Sequence, residues 1–256
     1  MGEREGKSIR MEYPFVISAS TFCKVHSSFW KNVAPTTDIF VRRLNLGHYD
    51  REFPVMQSSA APIRRGFINE VAFAAFCQAV SDGSGRPPSK LTPEELDRAV
   101  SYVLSLPIRR EAQGEIASER VLAPEEVLDI DEQRRRLIWT FSFNKPAGSL
   151  LTEPIFPGCG MIDTCRGDLI ASDALYEVKA GDRLFRSIDV RQLIVYGALN
   201  FIAKRFVIER LGLFNPRVGI SATMSADDLC FEISGKQSSE LFAEVAAAFS
   251  NGEISR

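Results

Sequence analysis

The chain has 256 residues, a length that allows a substantial buried core in one large domain, with or without an insert. Its net charge of −2 argues against a protein that binds nucleic acid through an overall basic surface. Two histidines, and five cysteines without a Cys-x-x-Cys pair, argue against histidine-dependent catalysis, a zinc site and an iron–sulfur cluster.

The start of the chain predicts neither secretion nor membrane insertion. The first ten residues are charged and polar, and no apolar run approaches the roughly 20 residues that span a bilayer. The cysteines are interpreted as reduced, mostly buried thiols. We therefore expect a cytoplasmic protein without a membrane partner.

Residues 1–60 are interpreted as an N-terminal extension, and residues 61–256 as the main domain. Two short apolar runs in the extension predict strands, at Tyr13–Ser18 and Asp38–Val41. No motif in this part of the chain indicates a chemistry.

The main domain is predicted to open with a helix and to continue into a helical insert. Apolar residues at helical spacing predict a helix over Phe67–Val80. The insert is expected at about residues 81–147. Within it Thr92, followed by a proline, caps a helix that runs to about Leu106, and Pro124 opens another helix.

The segment between residues 167 and 180 is typical of two short strands joined by a tight turn. A two-residue loop at Ser172-Asp173 places Asp168 opposite Glu177, with Cβ atoms about 5 Å apart. Glu177 and Lys179 then project from the same face of their strand, because side chains alternate along a strand. A register slip by one residue would move Asp168 to the other face.

This arrangement is suited to a divalent cation. Two carboxylates that face each other repel, and burial raises the pKa of at least one of them. A Mg²⁺ ion reverses the sign of the interaction, since it binds carboxylate oxygens at about 2.1 Å. Asp168, Glu177 and Lys179 are therefore equipped to hold a cation against a phosphodiester.

The next predicted helix carries Gln192 and Tyr196, which are four residues apart and share one helix face. The loop before it contains Arg183 and Arg186, and Arg191 lies on the helix itself. Cations beside an acidic centre suit phosphate contacts, and a solvated basic loop is the alternative.

The rest of the chain predicts a strand, a turn, a second strand and a helix. Val207–Leu213 is the first strand, Asn215-Pro216 marks the turn, and Val218–Ile220 opens the second strand. Ser239–Phe249 predicts an amphipathic C-terminal helix that packs on the core.

These motifs together resemble the PD-(D/E)XK nuclease superfamily, and within it the RecB-like branch. Asp168 followed by Glu177-Val178-Lys179 is similar to the acid on one strand and the acid-x-Lys on the next. Gln192 to Tyr196 resembles the Q-x-x-x-Y motif of that branch. Arg65–Glu70 resembles its first-helix segment, which often carries a glutamate near the metals.

The resemblance covers Pro62–Cys77 and Phe156–Gly235. It implies an α/β fold, a restriction-endonuclease-like mixed β-sheet core flanked by helices, to which the helical insert is added. The RecB-like branch usually has Gly-x-x-Asp, which this chain offers at Gly160 to Asp163. Asp163 therefore competes with Asp168 as the first metal-binding acid, and the compact hairpin favours Asp168.

The resemblance also implies roles. Asp168 and Glu177 would ligate one or two Mg²⁺ (or Mn²⁺) ions, with the Val178 carbonyl as an extra ligand. Glu70 would complete a second metal position, or is a helix-surface glutamate. Lys179 would orient the attacking water or stabilise the developing charge. The helix pair Gln192 and Tyr196 would contact the scissile phosphate or the metal-bound water, or merely packs the helix on the sheet.

The function implied is Mg²⁺-dependent phosphodiester hydrolysis, with DNA as the preferred substrate and RNA as a weaker alternative. A bacterial defence role, such as antiviral defence, or a DNA-processing role would suit such an enzyme. A protein partner or a homo-oligomer is compatible with the chain, and residues 1–60 would form an oligomer contact or a DNA-facing extension. The alternative function is a noncatalytic scaffold or regulatory subunit that keeps a nuclease-like fold.

Overall fold

The computed structural model describes residues 16–58, 60–83, 89–106, 121–143 and 149–251. Within these ranges the chain forms a mixed α/β structure of nine α-helices and eight β-strands. The helices are α1 (Ala19–Val25), α2 (Ser27–Val33), α3 (Thr37–Asn45), α4 (Arg65–Ser81), α5 (Pro93–Ser105), α6 (Pro124–Leu137), α7 (Ser187–Ala203), α8 (Ala226–Ser234) and α9 (Ser238–Asn251). The strands are β1 (Asp50–Arg51), β2 (Leu150–Thr152), β3 (Ile155–Phe156), β4 (Cys165–Arg166), β5 (Leu169–Ala171), β6 (Ala174–Val178), β7 (Arg210–Asn215) and β8 (Ile220–Ser225).

Six strands form one sheet in the order β1-β8-β7-β6-β5-β2. Strands β6 and β7 pair in parallel, and the other neighbours pair antiparallel. A parallel pair needs a crossover connection, which helix α7 supplies. Strands β3 and β4 form a separate two-stranded sheet. The connection from β6 through α7 to β7 places the residues that follow β6 near the start of α7.

Both faces of the sheet are covered, because successive residues of its strands point to opposite faces and are apolar on each of them. Ile170 and Leu175 belong to the larger apolar core, which includes residues of α7, α9 and the N-terminal helices. Leu169, Tyr176 and Phe214 face the opposite way and pack with α4 and the π-helical turn after α6. Side-chain alternation along β5 and β6 thus separates the two cores.

The insert forms a helical layer on α4. Helices α5 and α6 both pack on α4, and a third apolar core joins them through residues such as Ala72, Val100, Val103 and Ile130. Only one side of α4 is left for the sheet. The insert therefore stands next to the strand ends that carry the candidate site.

Several sequence predictions are confirmed. The first helix spans Arg65–Ser81, and Pro124 opens α6. Thr92 caps α5, since its hydroxyl accepts from the Glu95 N–H at 3.2 Å while the Glu95 carboxylate accepts from the Thr92 N–H at 2.9 Å. The predicted C-terminal helix is α9.

Other predictions are corrected. The strand predicted at Asp38–Val41 is wrong, because these residues lie in α3. Phe40, Val41 and Leu44 are buried at helical spacing, which a four-residue window does not distinguish from a strand. The strand predicted from Val207 begins at Arg210 instead. Half of the strand predicted at Tyr13–Ser18, residues 13–15, lies outside the described residues. In the other half Ile17 forms only an isolated bridge with Ile162, and Ser18 caps α1.

Residues 16–58 contribute to the same core as the rest of the chain. Phe22 and Trp30 are fully buried in the larger apolar core, and Asp50 pairs with Ser221 at the edge of the sheet. The boundary near residue 60 stays a prediction. In the part of the chain that the structure describes, none of the helices combines the length and the apolar character needed to cross a membrane.

Candidate functional site

The β5–β6 hairpin has the register that the sequence predicts. Ala171 pairs with Ala174 across the turn, and the ladder continues to the pair of Leu169 with Tyr176. The next step brings Asp168 beside Glu177. The Val178 N–H donates to Asp168 Oδ2 at 2.6 Å, which ties the first acid to the strand that carries the second.

Glu177 and Lys179 project together toward α7. Lys179 Nζ donates to Glu177 Oε1 and to Gln192 Oε1, the latter at 2.9 Å. Glu177 is only 3% exposed, and its second oxygen, Oε2, has no hydrogen-bond partner among the described residues. A buried carboxylate oxygen without a partner is unfavourable unless a proton or a cation occupies it.

Burial is the main cause of the raised pKa values of Glu177 and Asp168. Burial, and then the negative charge of Asp168, raises the pKa of Glu177 to about 8. Burial also raises the pKa of Asp168, although the Lys179 charge and the Val178 N–H oppose it. Burial lowers the pKa of Lys179, but the charges of Glu177 and Asp168 outweigh this and raise it. The two acids thus retain a proton near neutral pH, and a bound cation would displace that proton.

Helix α7 contacts this centre on the side toward which Glu177 and Lys179 project. Gln192 accepts from Lys179, as described, and Tyr196 lies one turn further along the same face. Tyr196 is buried, stacks on Phe156 with ring centroids 5.3 Å apart, and donates from its hydroxyl to the Arg166 carbonyl at 3.4 Å. Burial raises the pKa of Tyr196, so the hydroxyl stays protonated. Gln192 contacts the centre directly, whereas Tyr196 packs the helix on the small β3–β4 sheet.

On the side away from α7, Asp168 lines a cleft of about 230 Å³ between α4, α5 and the ends of β5 and β6. Glu70 and Val178, both predicted site residues, line the same cleft. Its apolar wall consists of Phe73, Ala74, Val103 and Leu106. The structure therefore brings Glu70, Asp168 and Val178 to one opening.

Glu153 also lines this cleft, and sequence reasoning missed it. Its carboxylate accepts from the Tyr102 hydroxyl at 3.0 and 3.2 Å and from Arg166 Nη1 at 2.9 Å. Its N–H donates to the Asp168 carbonyl at 2.8 Å, and its backbone is left-handed, with φ 51°. No local sequence signal marks Glu153, because it follows a three-residue strand and meets Asp168 only through the sheet.

Asp163 does not take part in this arrangement. It is exposed in the connection before β4, where its Oδ1 accepts from the Thr164 N–H at 2.7 Å and its own N–H donates to the Ile17 carbonyl. Of the two candidate first acids, Asp168 is the one beside Glu177.

Two of the three predicted phosphate-binding arginines have internal partners. Arg183 donates to both oxygens of Asp189, at 2.7 and 3.0 Å. The Arg191 guanidinium lies 5.6 Å from the centre of the Trp30 ring. Arg186 is exposed and lines a shallow groove beside α3. Arg183 and Arg191 are therefore engaged in packing, and Arg186 is the most accessible of the three.

The residues present fit a metal that keeps much of its water. Among the described residues there is no group of three or more His, Cys, Asp or Glu side chains close enough to hold a metal by themselves. Mg²⁺ is usually bound through one or two carboxylates and completes its shell with water and substrate phosphate. Asp168 and the unpaired oxygen of Glu177 could supply these carboxylates, and Val178 lines the cleft beside Asp168, whereas Glu177 itself does not line it.

No model of a known protein family matches the chain, and no curated protein matches it with significant similarity. Its class is thus defined by the fold and the site alone: a mixed α/β protein in which two neighbouring acids and a lysine meet at the end of a hairpin, beside an acidic cleft.

Proposed function

We propose that this protein is a Mg²⁺-dependent nuclease that hydrolyses phosphodiester bonds in DNA, built on a restriction-endonuclease-like core. One observation carries the proposal. Asp168, Glu177 and Lys179 meet at the end of one hairpin, and a buried carboxylate oxygen of Glu177 lacks a partner among the described residues. A purely structural ion pair between Glu177 and Lys179 would not require a second carboxylate, that of Asp168, at this position.

Each residue has a role in this reaction. Asp168, Glu177 and the Val178 carbonyl would hold the cation. A cation bound there supplies Lewis-acid polarisation of the phosphoryl oxygen and lowers the pKa of its water. Lys179 is fixed by Glu177 and Gln192 and stays charged, because its pKa is raised. It would orient the attacking water and stabilise the charge that develops on the phosphate.

The acidic cleft explains why such a reaction would require the cation even for binding. Glu70, Glu153 and Asp168 line the opening. Arg166 compensates part of the Glu153 charge, and the remaining carboxylate charge repels a phosphodiester in the absence of a metal. The protein has no overall basic charge that would offset this repulsion. We therefore expect that EDTA abolishes both DNA binding at this cleft and cleavage.

The test is a cleavage assay with linear DNA, circular DNA and RNA of matched length, in Mg²⁺, Mn²⁺ or EDTA. Lys179→Ala is expected to lower the metal-dependent rate by about 10²–10³-fold, the usual effect of removing one group that stabilises the transition state. The matched control is Lys236→Ala, which breaks a surface pair with Glu244 away from the hairpin and should leave the rate unchanged.

The alternative outcomes are distinct. Absence of cleavage by the folded wild-type protein with either metal would contradict the proposal and favour the noncatalytic scaffold. Cleavage that survives Lys179→Ala would place the activity elsewhere. Cleavage of RNA but not of DNA would support the proposed catalytic residues and contradict DNA as the substrate.

A further inference from the structure

The residues that follow Lys179 are held in place by asparagine side chains from distant parts of the chain. Asn69 Nδ2 on α4 donates to the Ala180 carbonyl at 2.7 Å. Asn215 Nδ2 at the end of β7 donates to the carbonyls of Gly181 and Arg183, both at 2.9 Å. The peptide that leaves the candidate centre is therefore fixed by donors rather than left to solvent.

The orientation of the Asn69 amide is determined by its other contacts. Its Oδ1 accepts from Arg217 Nε at 2.9 Å and from Gln133 Nε2 at 3.0 Å. Two donors on the oxygen side leave only the NH₂ group to face Ala180. Asn69 thus has a unique orientation, and its neighbour Glu70 lines the cleft beside Asp168.

The same network ties the helical insert to this point. Arg217 Nη2 donates to Asp129 Oδ2 at 2.6 Å, and Gln133 donates to Asp129 Oδ1 at 2.7 Å. Arg217 and Asp129 are 1% and 4% exposed. Asp129 and Gln133 both belong to α6 of the insert. A buried ion pair is retained only where its geometry and its hydrogen bonds are satisfied, as they are here.

We propose that Asn69 is a positioning residue for the candidate centre, and that the insert keeps it in place through Gln133 and the Arg217–Asp129 pair. The inference rests on the proposed function. Asn69 holds the Ala180 carbonyl, and so fixes the last peptides of the strand that presents Glu177, Val178 and Lys179. The insert, which stands next to the catalytic strand, then has a mechanical role in the reaction.

The experiment compares Asn69→Ala and Asn69→Asp with Asn200→Ala. In Asn69→Asp the new carboxylate would still accept from Arg217 and Gln133 but could not donate to Ala180, so this variant isolates the contact with the strand end. Asn200 is a matched control, since it bridges the N–H and the carbonyl of Phe206 at 2.9 Å each, at the far end of α7.

Two readouts are used. Hydrogen exchange of the peptide covering residues 177–183 reports the strand end without any need for activity. The Mn²⁺ concentration for half-maximal cleavage reports the centre. Both Asn69 variants should speed exchange in this peptide and raise the half-maximal concentration about 10-fold or more, the usual effect of losing a residue that orients metal ligands. Asn200→Ala should change neither readout, although it lowers the thermal midpoint.

The outcomes separate the two proposals. Unchanged exchange at residues 177–183 in both Asn69 variants, or equal changes in Asn200→Ala, would overturn the positioning role whatever the activity. Faster exchange in the Asn69 variants, when the wild-type protein cleaves nothing, would refute the nuclease and leave the strand-end contact established. Gln133→Met should also speed exchange at residues 177–183 and raise the half-maximal Mn²⁺ concentration, but by less than the Asn69 variants. If both readouts in Gln133→Met equal those of the wild-type protein, the role of the insert is overturned.

Discussion

Glu177 combines deep burial with an ionisable group, and this makes the stability of the protein depend on pH. Its pKa is raised from 4.5 to about 8, first by burial and then by Asp168. Between these two values the folded state retains a proton that the unfolded state has lost. The contribution to stability is therefore complete below the unfolded pKa and is lost as the pH rises through the folded pKa.

We predict that the free energy of unfolding in EDTA falls between about pH 5 and about pH 9, by at most about 1.4 kcal/mol per pH unit from this group. Glu177→Gln should flatten the profile, because glutamine does not ionise. Urea unfolding at a series of pH values measures both curves. Parallel curves for the two proteins would show that another group causes the pH dependence.

The charge of Glu153 acts on Asp168 across the cleft. It raises the pKa of Asp168, after the larger contribution of burial. Glu153→Gln removes that charge and should lower the Asp168 pKa, so the acidic limb of the cleavage–pH profile moves to lower pH. The measurement is the pH profile of Mn²⁺-dependent cleavage beside Glu244→Gln, a surface control. An unmoved acidic limb would mean that Asp168 does not govern it.

At the scale of elements, the contact between β6 and β7 depends on a glycine. Gly212 pairs with Tyr176 in the parallel ladder, and a Cβ at position 212 would overlap the Tyr176 ring. The Tyr176 hydroxyl is in turn hydrogen-bonded to Thr223 at 3.0 Å, so the ring has little room to move. Glu177 follows Tyr176 directly, and displacement of the ring is transmitted to the site.

We predict that Gly212→Ala destabilises the protein by about 1–3 kcal/mol, as overpacking in a core usually does. Gly66→Ala is the opposite control, because a Cβ at this helical position would meet no atom of the described residues within 4 Å beyond its chain neighbours and the nearby backbone of its own helix. Alanine is favoured over glycine in helices by up to about 1 kcal/mol. Urea denaturation of the two variants should give shifts of opposite sign, and equal shifts would contradict the packing argument.

At the scale of the whole molecule, the buried Arg217–Asp129 pair connects the insert with the turn between β7 and β8. Arg136 reinforces the connection, since its Nη1 donates to the carbonyls of Pro54 and Pro216 at 2.8 and 2.9 Å. These contacts join residues from the N-terminal part, the insert and the sheet.

We predict that Arg217→Met lowers the free energy of unfolding by about 3–5 kcal/mol, because it leaves the Asp129 carboxylate buried without its cation. Adding Asp129→Leu should recover part of this loss. Arg43→Met removes an exposed ion pair with Glu232 and should lose less than about 1 kcal/mol. Equal losses for Arg217→Met and Arg43→Met in urea unfolding would show that the buried pair does not hold the insert.

Local patterns predicted what depends on neighbours in sequence. The register of the hairpin follows from a two-residue turn and the alternation of side chains, and the observed pair of Ala171 with Ala174 confirms it. The cap of α5 at Thr92 is equally local. The strand predicted at Asp38–Val41 was wrong, because four apolar-rich residues carry too little periodicity to exclude a helix.

The sequence by itself determined the two acids and the lysine of the hairpin, the helices of the insert and the helix that carries Gln192. Only the tertiary structure decided which groups meet them. Glu153 reaches Asp168 through the sheet, Asn69 reaches Ala180 from another helix, and Arg183 turns inward to Asp189. The physical reason is that the partner of a polar group depends on packing between distant segments, and no local period encodes that packing.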